Sequence, residues 1–486
     1  RGYEVRMATT RARLASGAAC AALIWAFTGF LQARSPAPQS PPWAAQVDAV
    51  FAQWDRPDSP GCALGVYQNG RIAYSRGYGM ADLEHGAPIT PGSVFYAGSV
   101  SKQFTAMAAA LAIRQGKLGP DDDVRKYVPE LQEYGRPITI RHLLHHTSGL
   151  RDVNTLMVLA GRRDEDAFDN AAVLRIVSRQ KALNFLPGDE YLYSNSGYAM
   201  LALAIERATG VPFAEYADAN IFAPLGMTVS HFHTDLTRLV PGRAWAYDRK
   251  TNGPFVLNSP QNERAGAGGL FTTVGELARW DENFYDARVG GPEVIRILET
   301  PGRLNSGIEL TYGWGLMTGS YRGVPIIEHS GSLGGYRAHV IRFRPMHTSV
   351  AILCNVSNVT TRTIVRRVAD AVLAGRFTIP AGPPPPPPPP VVPSGLAYRY
   401  EGDELKAFAG EYYSDELEST YRVSIDGTNL RLRRGVQRQA FTLVARGKDE
   451  FDLPGSVIRF RRGPDGAVIG LVVDADRTRG LAFVKR

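Results

Sequence analysis

The sequence predicts an α/β chain in two parts. The first is an antiparallel sheet covered by helices, with an all-helical subdomain inserted in it, and the second is a small antiparallel β-barrel. Three observations carry this reading. Strand-like runs at 62–67 and 71–74 are joined by Asn69-Gly70, a strong two-residue hairpin signal, and strands return at 336–355 after a long stretch of helical periodicity. Eight consecutive prolines at 383–390 form a polyproline spacer and the clearest boundary in the chain. Beyond them, residues 396–486 alternate in short segments separated by turns at Asp426-Gly427, Pro454-Gly455 and Pro464-Asp465-Gly466.

Between the two sets of strands, helical periodicity covers 101–115, 140–144, 171–183, 199–209 and 274–284, and a further helix is expected at 359–373. Thr273 and Glu276 have the spacing of a capping box. At the N-terminal end, Met7 reads as the natural start, with 1–6 an upstream extension. Arg11 and Arg13 precede an apolar stretch over 14–31, which reads as a secretory signal peptide ending near residue 33. The rival reading is an uncleaved anchor, since 14–31 has about the minimum length for a span. The expected organisation is a signal segment at 1–33, a tether at 34–42, a catalytic domain at 43–380, a polyproline linker at 381–394 and a barrel at 395–486. On either reading of the leader the folded part is periplasmic or secreted.

The chain has 486 residues, 44% hydrophobic and 21% charged, enough for two folded units and too apolar for general disorder. Its net charge of +8 is spread without a dense basic run interleaved with aromatics, which argues against nucleic-acid binding. Membrane contact follows only from an uncleaved leader. Cys62 and Cys354 both lie in strand-like runs; a disulfide is open to them, but buried free thiols are the preferred reading.

The chemistry is carried by three short stretches. Ser99-Val100-Ser101-Lys102 opens the most apolar helix of the chain, where Ser and Lys three apart share a face and the free N–H groups of a helix start favour an alkoxide or oxyanion. The pattern recurs at Ser178-Arg179-Gln180-Lys181, read as a solvated pair inside a helix. The second stretch is Tyr193-Ser194-Asn195, in a polar turn before another apolar helix, and the third is His329-Ser330-Gly331.

In this order, Ser-x-x-Lys, Tyr-x-Asn and His-x-Gly resemble the serine β-lactamase and penicillin-binding-protein superfamily. The branch they resemble holds class C β-lactamases, serine D-Ala-D-Ala carboxypeptidases, D-aminopeptidases and related esterases. The resemblance spans roughly 47–373 and implies a β-lactamase-like fold; the terminal barrel resembles the lipocalin-like domain appended to some relatives. It further implies Ser99 as the acylated nucleophile, Lys102 as its proton partner and Tyr193 as general base for acylation; which of Lys102 and Tyr193 takes the serine proton is left open by the sequence. Asn195, His329, Gly331 and Ser332 would bind substrate or the oxyanion, the latter through the Ser99 and Ser332 N–H groups. No cofactor or metal is expected: His142, His145 and His146, and likewise His231 and His233, are read as structural.

One departure matters. Typical β-lactamases and carboxypeptidases have Lys-Thr-Gly where this chain has His329-Ser330-Gly331, and a histidine, mostly neutral at pH 7, grips a carboxylate less well than a lysine. Arg337 is read as surface or core-flanking rather than as a replacement. The expected function is therefore an exported serine hydrolase acting by acyl-enzyme chemistry on amides or esters, D-residue peptides above all. Its partner is a small-molecule or peptide substrate, with peptidoglycan-derived peptides included. The alternatives are a slow-turnover or non-catalytic peptidoglycan- or β-lactam-binding protein on the same fold, and a weak β-lactamase.

Overall fold

The computed structural model describes residues 40–162, 166, 168–251, 253–261, 263–380, 382, 398–400 and 402–486. The expected signal segment, most of the tether and the polyproline run at 383–390 lie outside them. Among the described residues no helix is long and apolar enough to cross a membrane.

The central sheet is built from β1 (Cys62–Gln68), β2 (Arg71–Tyr78), β3 (Met317–Tyr321), β4 (Val324–Leu333), β5 (Tyr336–Phe343) and β6 (Thr348–Cys354). Their order is β3-β4-β5-β6-β1-β2, antiparallel throughout. Asn69 and Gly70 both have positive φ, as the tight β1–β2 turn requires. Strands β1 and β6 are buried on both faces and so read as continuous apolar runs rather than alternations. One face is covered by α1 (Ala44–Phe51) and by a late helix at 361–372, which pack Val47, Phe51, Val365 and Val368 against Leu64 and Ile352. The other face carries the helices that hold the site.

Those helices are α2 (Ser101–Arg114), α3 (Ile140–Leu144), α4 (Val153–Leu159), α5 (Asn170–Ser178), α6 (Asn195–Thr209) and α7 (Val274–Asp286), with α8 (Thr361–Val372) as the late helix. Their boundaries differ from the periodicity in instructive ways. Helix α6 begins at Asn195 rather than near residue 199, because the Ser194 hydroxyl accepts from the Gly197 N–H and caps a polar first turn. Helix α5 stops at Ser178 rather than continuing to residue 183, because the next residues turn to meet the barrel. Arg179 pairs with Asp415 and Glu418, Lys181 pairs with Asp415, and the Lys181 N–H donates to Glu416. At α7 the Thr273 hydroxyl accepts from the Glu276 N–H, yet the Glu276 carboxylate does not close the capping box; it accepts from the Val229 and Ser230 N–H groups instead.

The barrel closes from β7 (Gly410–Ser414), β8 (Ser419–Asp426), β9 (Asn429–Arg434), β10 (Ala440–Gly447), β11 (Glu450–Leu453), β12 (Ser456–Arg462), β13 (Val468–Ala475) and β14 (Thr478–Lys485). Phe408, Tyr412, Phe451 and Phe460 fill it with edge and tilted ring contacts. Residues 41–486 form one compact unit, so the barrel is seated on the catalytic part. The buried Arg151 holds the seam: its guanidinium donates to Glu416 at 2.7 Å, Gln180 at 3.1 Å, and the carbonyls of Arg479 at 3.0 Å and Gly480 at 3.1 Å. Tyr421 adds a 2.7 Å bond to the Leu159 carbonyl.

Cys62 and Cys354 form a disulfide, which overturns the preferred reading of free thiols. The reason is register: the two face each other at the same end of β1 and β6, although 292 residues separate them in sequence. Both cysteines are therefore expected to resist alkylation in the unreduced chain even when it is unfolded, and to label only after reduction. Reduction should cost on the order of 2–4 kcal/mol of stability. Free thiol at Cys62 in unreduced, denatured protein, or an unchanged Tm with reductant, contradicts the pairing.

Candidate active site

Ser99 sits in a tight turn, Gly98–Val100, that feeds directly into α2, so Lys102 falls one helical turn on and on the same side. The Lys102 ammonium donates to Ser99 Oγ at 3.0 Å, to Asn195 Oδ1 at 2.9 Å and to the Ala267 carbonyl at 2.7 Å. The side chain is wholly buried and lies 4.8 Å from the Tyr193 ring and 5.5 Å from the Tyr198 ring. Burial drives its pKa well below the usual lysine value; Asp152 opposes this, while Arg477 and Arg264 add to it. Two of the three partners are pure acceptors and take two N–H bonds whatever the charge. Only the third direction, toward the Ser99 hydroxyl, can hold either a proton or a lone pair. The geometry thus lets a neutral amine receive the serine proton.

Asn195 is the first residue of α6. Its Oδ1 accepts from Lys102, and its Nδ2 and backbone N–H both donate to Asp152 Oδ2, at 2.9 and 2.7 Å. These bonds fix the amide orientation and leave one N–H for a ligand. Asp152 is fully buried, and also caps α4 through the Asn154 and Thr155 N–H groups. Tyr193 lies just upstream, packed against the His146 ring at 4.2 Å. Burial pushes its phenol well above 10, and the neighbouring Ser99 hydroxyl and Arg477 draw it back. Burial thus favours the protonated phenol in the resting site.

Opposite, β4 presents His329, Ser330, Gly331 and Ser332. A Cβ on Gly331 would come within 2.1 Å of the Ala97 carbonyl and 3.0 Å of the Ser99 nitrogen, and one on Gly98 within 2.6 Å of the Ser332 nitrogen. Glycine at both places lets the Ser99 and Ser332 amides approach one another as an oxyanion pair requires. His329 is buried. Its Nδ1 contacts the Ser330 carbonyl at 2.7 Å and its Nε2 the Tyr312 hydroxyl at 3.0 Å. Since a carbonyl only accepts, Nδ1 carries the proton and Nε2 accepts from Tyr312, so both nitrogens are committed. Burial and the Lys102 charge lower its pKa to about 3. Arg337 turns away onto the Gly334 and Tyr336 carbonyls.

A cleft of about 460 Å³ joins these parts and is lined by Ser99, Tyr193, Asn195, His329 and Ser332, together with Arg477 from the barrel. Three contributors belong to no motif in the sequence: Asp152, Tyr312 and Arg477, of which only Asp152 leaves a trace, as an Asp preceding a helical run. The Ala267 carbonyl comes from Gly266-Ala267-Gly268-Gly269, which the sequence marks as a backbone turn near the expected cleft. The Ser178 copy is elsewhere, its hydroxyl bonded to the Arg175 carbonyl and Lys181 on the barrel. His145 accepts from Trp314 Nε1, His146 accepts from the Ser194 N–H, and His142 caps α3, so these three serve structure. His231 and His233 contact each other at 3.4 Å.

Known proteins place this arrangement. A D-aminopeptidase of Gluconobacter oxydans is 28% identical over 336 residues, 69% of this chain and 62% of that protein. A penicillin-binding protein of Bacillus subtilis is 28% identical over 360 residues, 70% of this chain and 78% of that one. The chain thus spans less than two thirds of the D-aminopeptidase's length. The structure of an octameric penicillin-binding protein homologue from Pyrococcus abyssi superposes with a TM-score of 0.60 at 23% identity, over 91% of this chain and 99% of that one, and so shares the fold. The sequence model of the Beta-lactamase family matches residues 47–374, and the chain belongs to that family.

Proposed function

We propose that this chain is a serine hydrolase that forms an acyl-enzyme at Ser99 and acts on amide or ester carbonyls, D-residue-containing peptides first among them. One observation carries the reading: a buried lysine, fixed by two pure acceptors, directs its remaining valence at Ser99 from 3.0 Å. Ser99 Oγ attacks the carbonyl carbon as its proton passes to the neutral Lys102 amine. The oxyanion is received by the Ser99 and Ser332 N–H groups. As the tetrahedral intermediate collapses, the bond to the leaving group breaks and that group takes a proton from Lys102, relayed by the protonated Tyr193 phenol. Water then enters the same position and adds to the acyl carbon as it gives a proton to the Lys102 amine; the bond from that carbon to Ser99 Oγ breaks, Oγ takes the proton back from Lys102, and the acid leaves. The named relatives support the substrate class, and the Cys62–Cys354 disulfide together with the leader-like residues 1–33 supports an exported location. With both His329 nitrogens committed, the third motif itself offers no cation for a substrate carboxylate.

A fluorophosphonate should therefore label Ser99 alone, as read by mass spectrometry. Ser99→Ala should abolish labelling and turnover of D-amino-acid amides and esters, and Lys102→Met should slow both by roughly 10²- to 10⁴-fold. Labelling of Ser99→Ala at the wild-type rate sinks the proposal. A stable penicillin adduct with no turnover of any substrate marks a slow binding protein instead.

Two pH effects follow. Acylation needs Lys102 deprotonated, and its pKa is lowered from 10.5, so the labelling rate should rise with pH along a limb centred below that value. His329 titrates near 3 and should contribute no step near neutrality, so a step at pH 6–7 that vanishes in His329→Gln contradicts the site as described. Stability responds separately. His145 is lowered to about 4, His329 to about 3 and His146 well below 6.5, all chiefly by burial. The unfolded chain binds these protons from about 6.5 downward while the fold refuses them. Stability is thus complete above about 6.5 and is lost as pH falls toward 4, at up to about 1.4 kcal/mol per pH unit for each histidine. Urea midpoints at pH 7 and pH 5 measure it; equal midpoints contradict the three buried neutral rings.

A further inference from the structure

Among the described residues the cleft is lined by Arg264, Arg362 and Arg477 and by no carboxylate. Each arginine has partners, but the acids stand behind the wall or outside the cleft. Arg477 Nη1 is 3.4 Å from the fully buried Asp152, and its Nε is 3.0 Å from Asp476. Arg362 reaches the buried Glu328 at 3.2 Å, and Arg264 donates to Asn154 at 2.6 Å. Arg477 is the one delivered by the barrel. It occupies the turn between β13 and β14, and that turn is pinned to the catalytic part on both sides. Its own carbonyl accepts from the Asp152 N–H at 3.2 Å and from Asn184 Nδ2 at 3.0 Å, while the Arg479 N–H donates to Asn184 at 2.8 Å. The guanidinium lies 5.6 Å from the centre of the Tyr193 ring. An arginine held this firmly at the wall of a cleft, with three quarters of its side chain covered, is preorganised to receive an anion.

Resting on the hydrolase reading, we propose that Arg477 is a specificity-determining residue by which the barrel selects substrates carrying a carboxylate near the scissile bond. Two further observations support this. The ring at 329, where a cation would otherwise stand, is neutral with both nitrogens committed. Arg264 and Arg362 line the same cleft, so the charged side chains of its described lining are all cationic, with their partners set behind the wall. A substrate presenting a free ammonium there meets like charge and no carboxylate among the described lining residues. The barrel is thereby part of the substrate site and sets which D-residue peptides enter.

The test holds the scissile bond constant and varies charge alone. N-succinyl-, N-acetyl- and free D-alanine p-nitroanilide present an anion, a neutral group and an ammonium on the acyl side. N-acetyl-D-alanyl-D-alanine and its C-terminal amide place or remove the anion on the leaving side. The wild type should favour an anionic member of one series over its neutral partner by at least about tenfold in kcat/KM, mainly through KM, with the preference shrinking as salt is raised. Arg477→Met should erase that ratio, Arg477→Lys should recover part of it, and Arg477→Glu should turn it toward the ammonium. No charge preference in either series, or a ratio unchanged in Arg477→Met because every substrate loses equally, overturns the proposal. Equilibrium binding of N-succinyl-D-alanine against N-acetyl-D-alanine methylamide to Ser99→Ala reads the same preference without turnover. An anion preference there, together with a wild type whose Ser99 is acylated by no substrate or fluorophosphonate, overturns the hydrolase reading and leaves Arg477's role standing; no preference there overturns that role.

Discussion

A fully buried lysine is costly, because an ammonium withdrawn from water loses its hydration and must be met by fixed dipoles or by an opposite charge. Much of the site can be read as the arrangement that tolerates Lys102 while keeping it reactive. The carbonyl of Ala267 is available because the chain reverses through Gly266 and Gly269, both at positive φ, and a Cβ on Gly268 would strike the Tyr96 hydroxyl at 2.2 Å. Asn195 supplies a second acceptor and passes the influence of Asp152 to the amine without letting the two charges touch. A direct ion pair would hold the ammonium charged; an amide between them leaves its proton exchangeable with Ser99.

Asp152 joins levels that are usually described apart. The same carboxylate caps α4, seats the first residue of α6 and faces Arg477 from the barrel. Its neighbour Arg151 points the other way and clamps Glu416 and the carbonyls of Arg479 and Gly480. Adjacent residues thus fasten the nucleophile's surroundings and the barrel's seam, and the buried Arg151–Glu416 pair makes that seam intolerant of losing either partner.

Local signals in the sequence suffice where local chemistry decides. The Asn69-Gly70 hairpin, the α2 helix and the short barrel strands follow from turn residues and periodicity, and Ser99 with Lys102 follows from helical geometry. The misses came from partners far away in sequence. Helix α5 ends at Ser178 because Asp415 and Glu416 take over the residues that follow, and the Cys62–Cys354 bond depends on a strand register that no spacing reports. Tyr312 and Arg477 belong to no motif; they matter through what they face. The Glu276 capping box failed for the same reason, since a more distant pair of N–H groups claimed the carboxylate.

The histidine at 329 and the arginine at 477 answer one electrostatic constraint. Every cation close to Lys102 makes its ammonium harder to hold, as both Arg477 and Arg264 already do. A lysine in the third motif would add one more charge beside an amine that is already depressed by burial. A neutral imidazole adds none: Lys102 itself helps keep His329 uncharged, and Tyr312 occupies the nitrogen that could otherwise take a proton. Removing the charge from β4 leaves room for a cation to enter from the barrel, with Asp152 behind it to limit the repulsion that Lys102 feels. The third motif and the appended domain are in this sense one electrostatic unit, because the total positive charge that Lys102 can bear limits what either may carry.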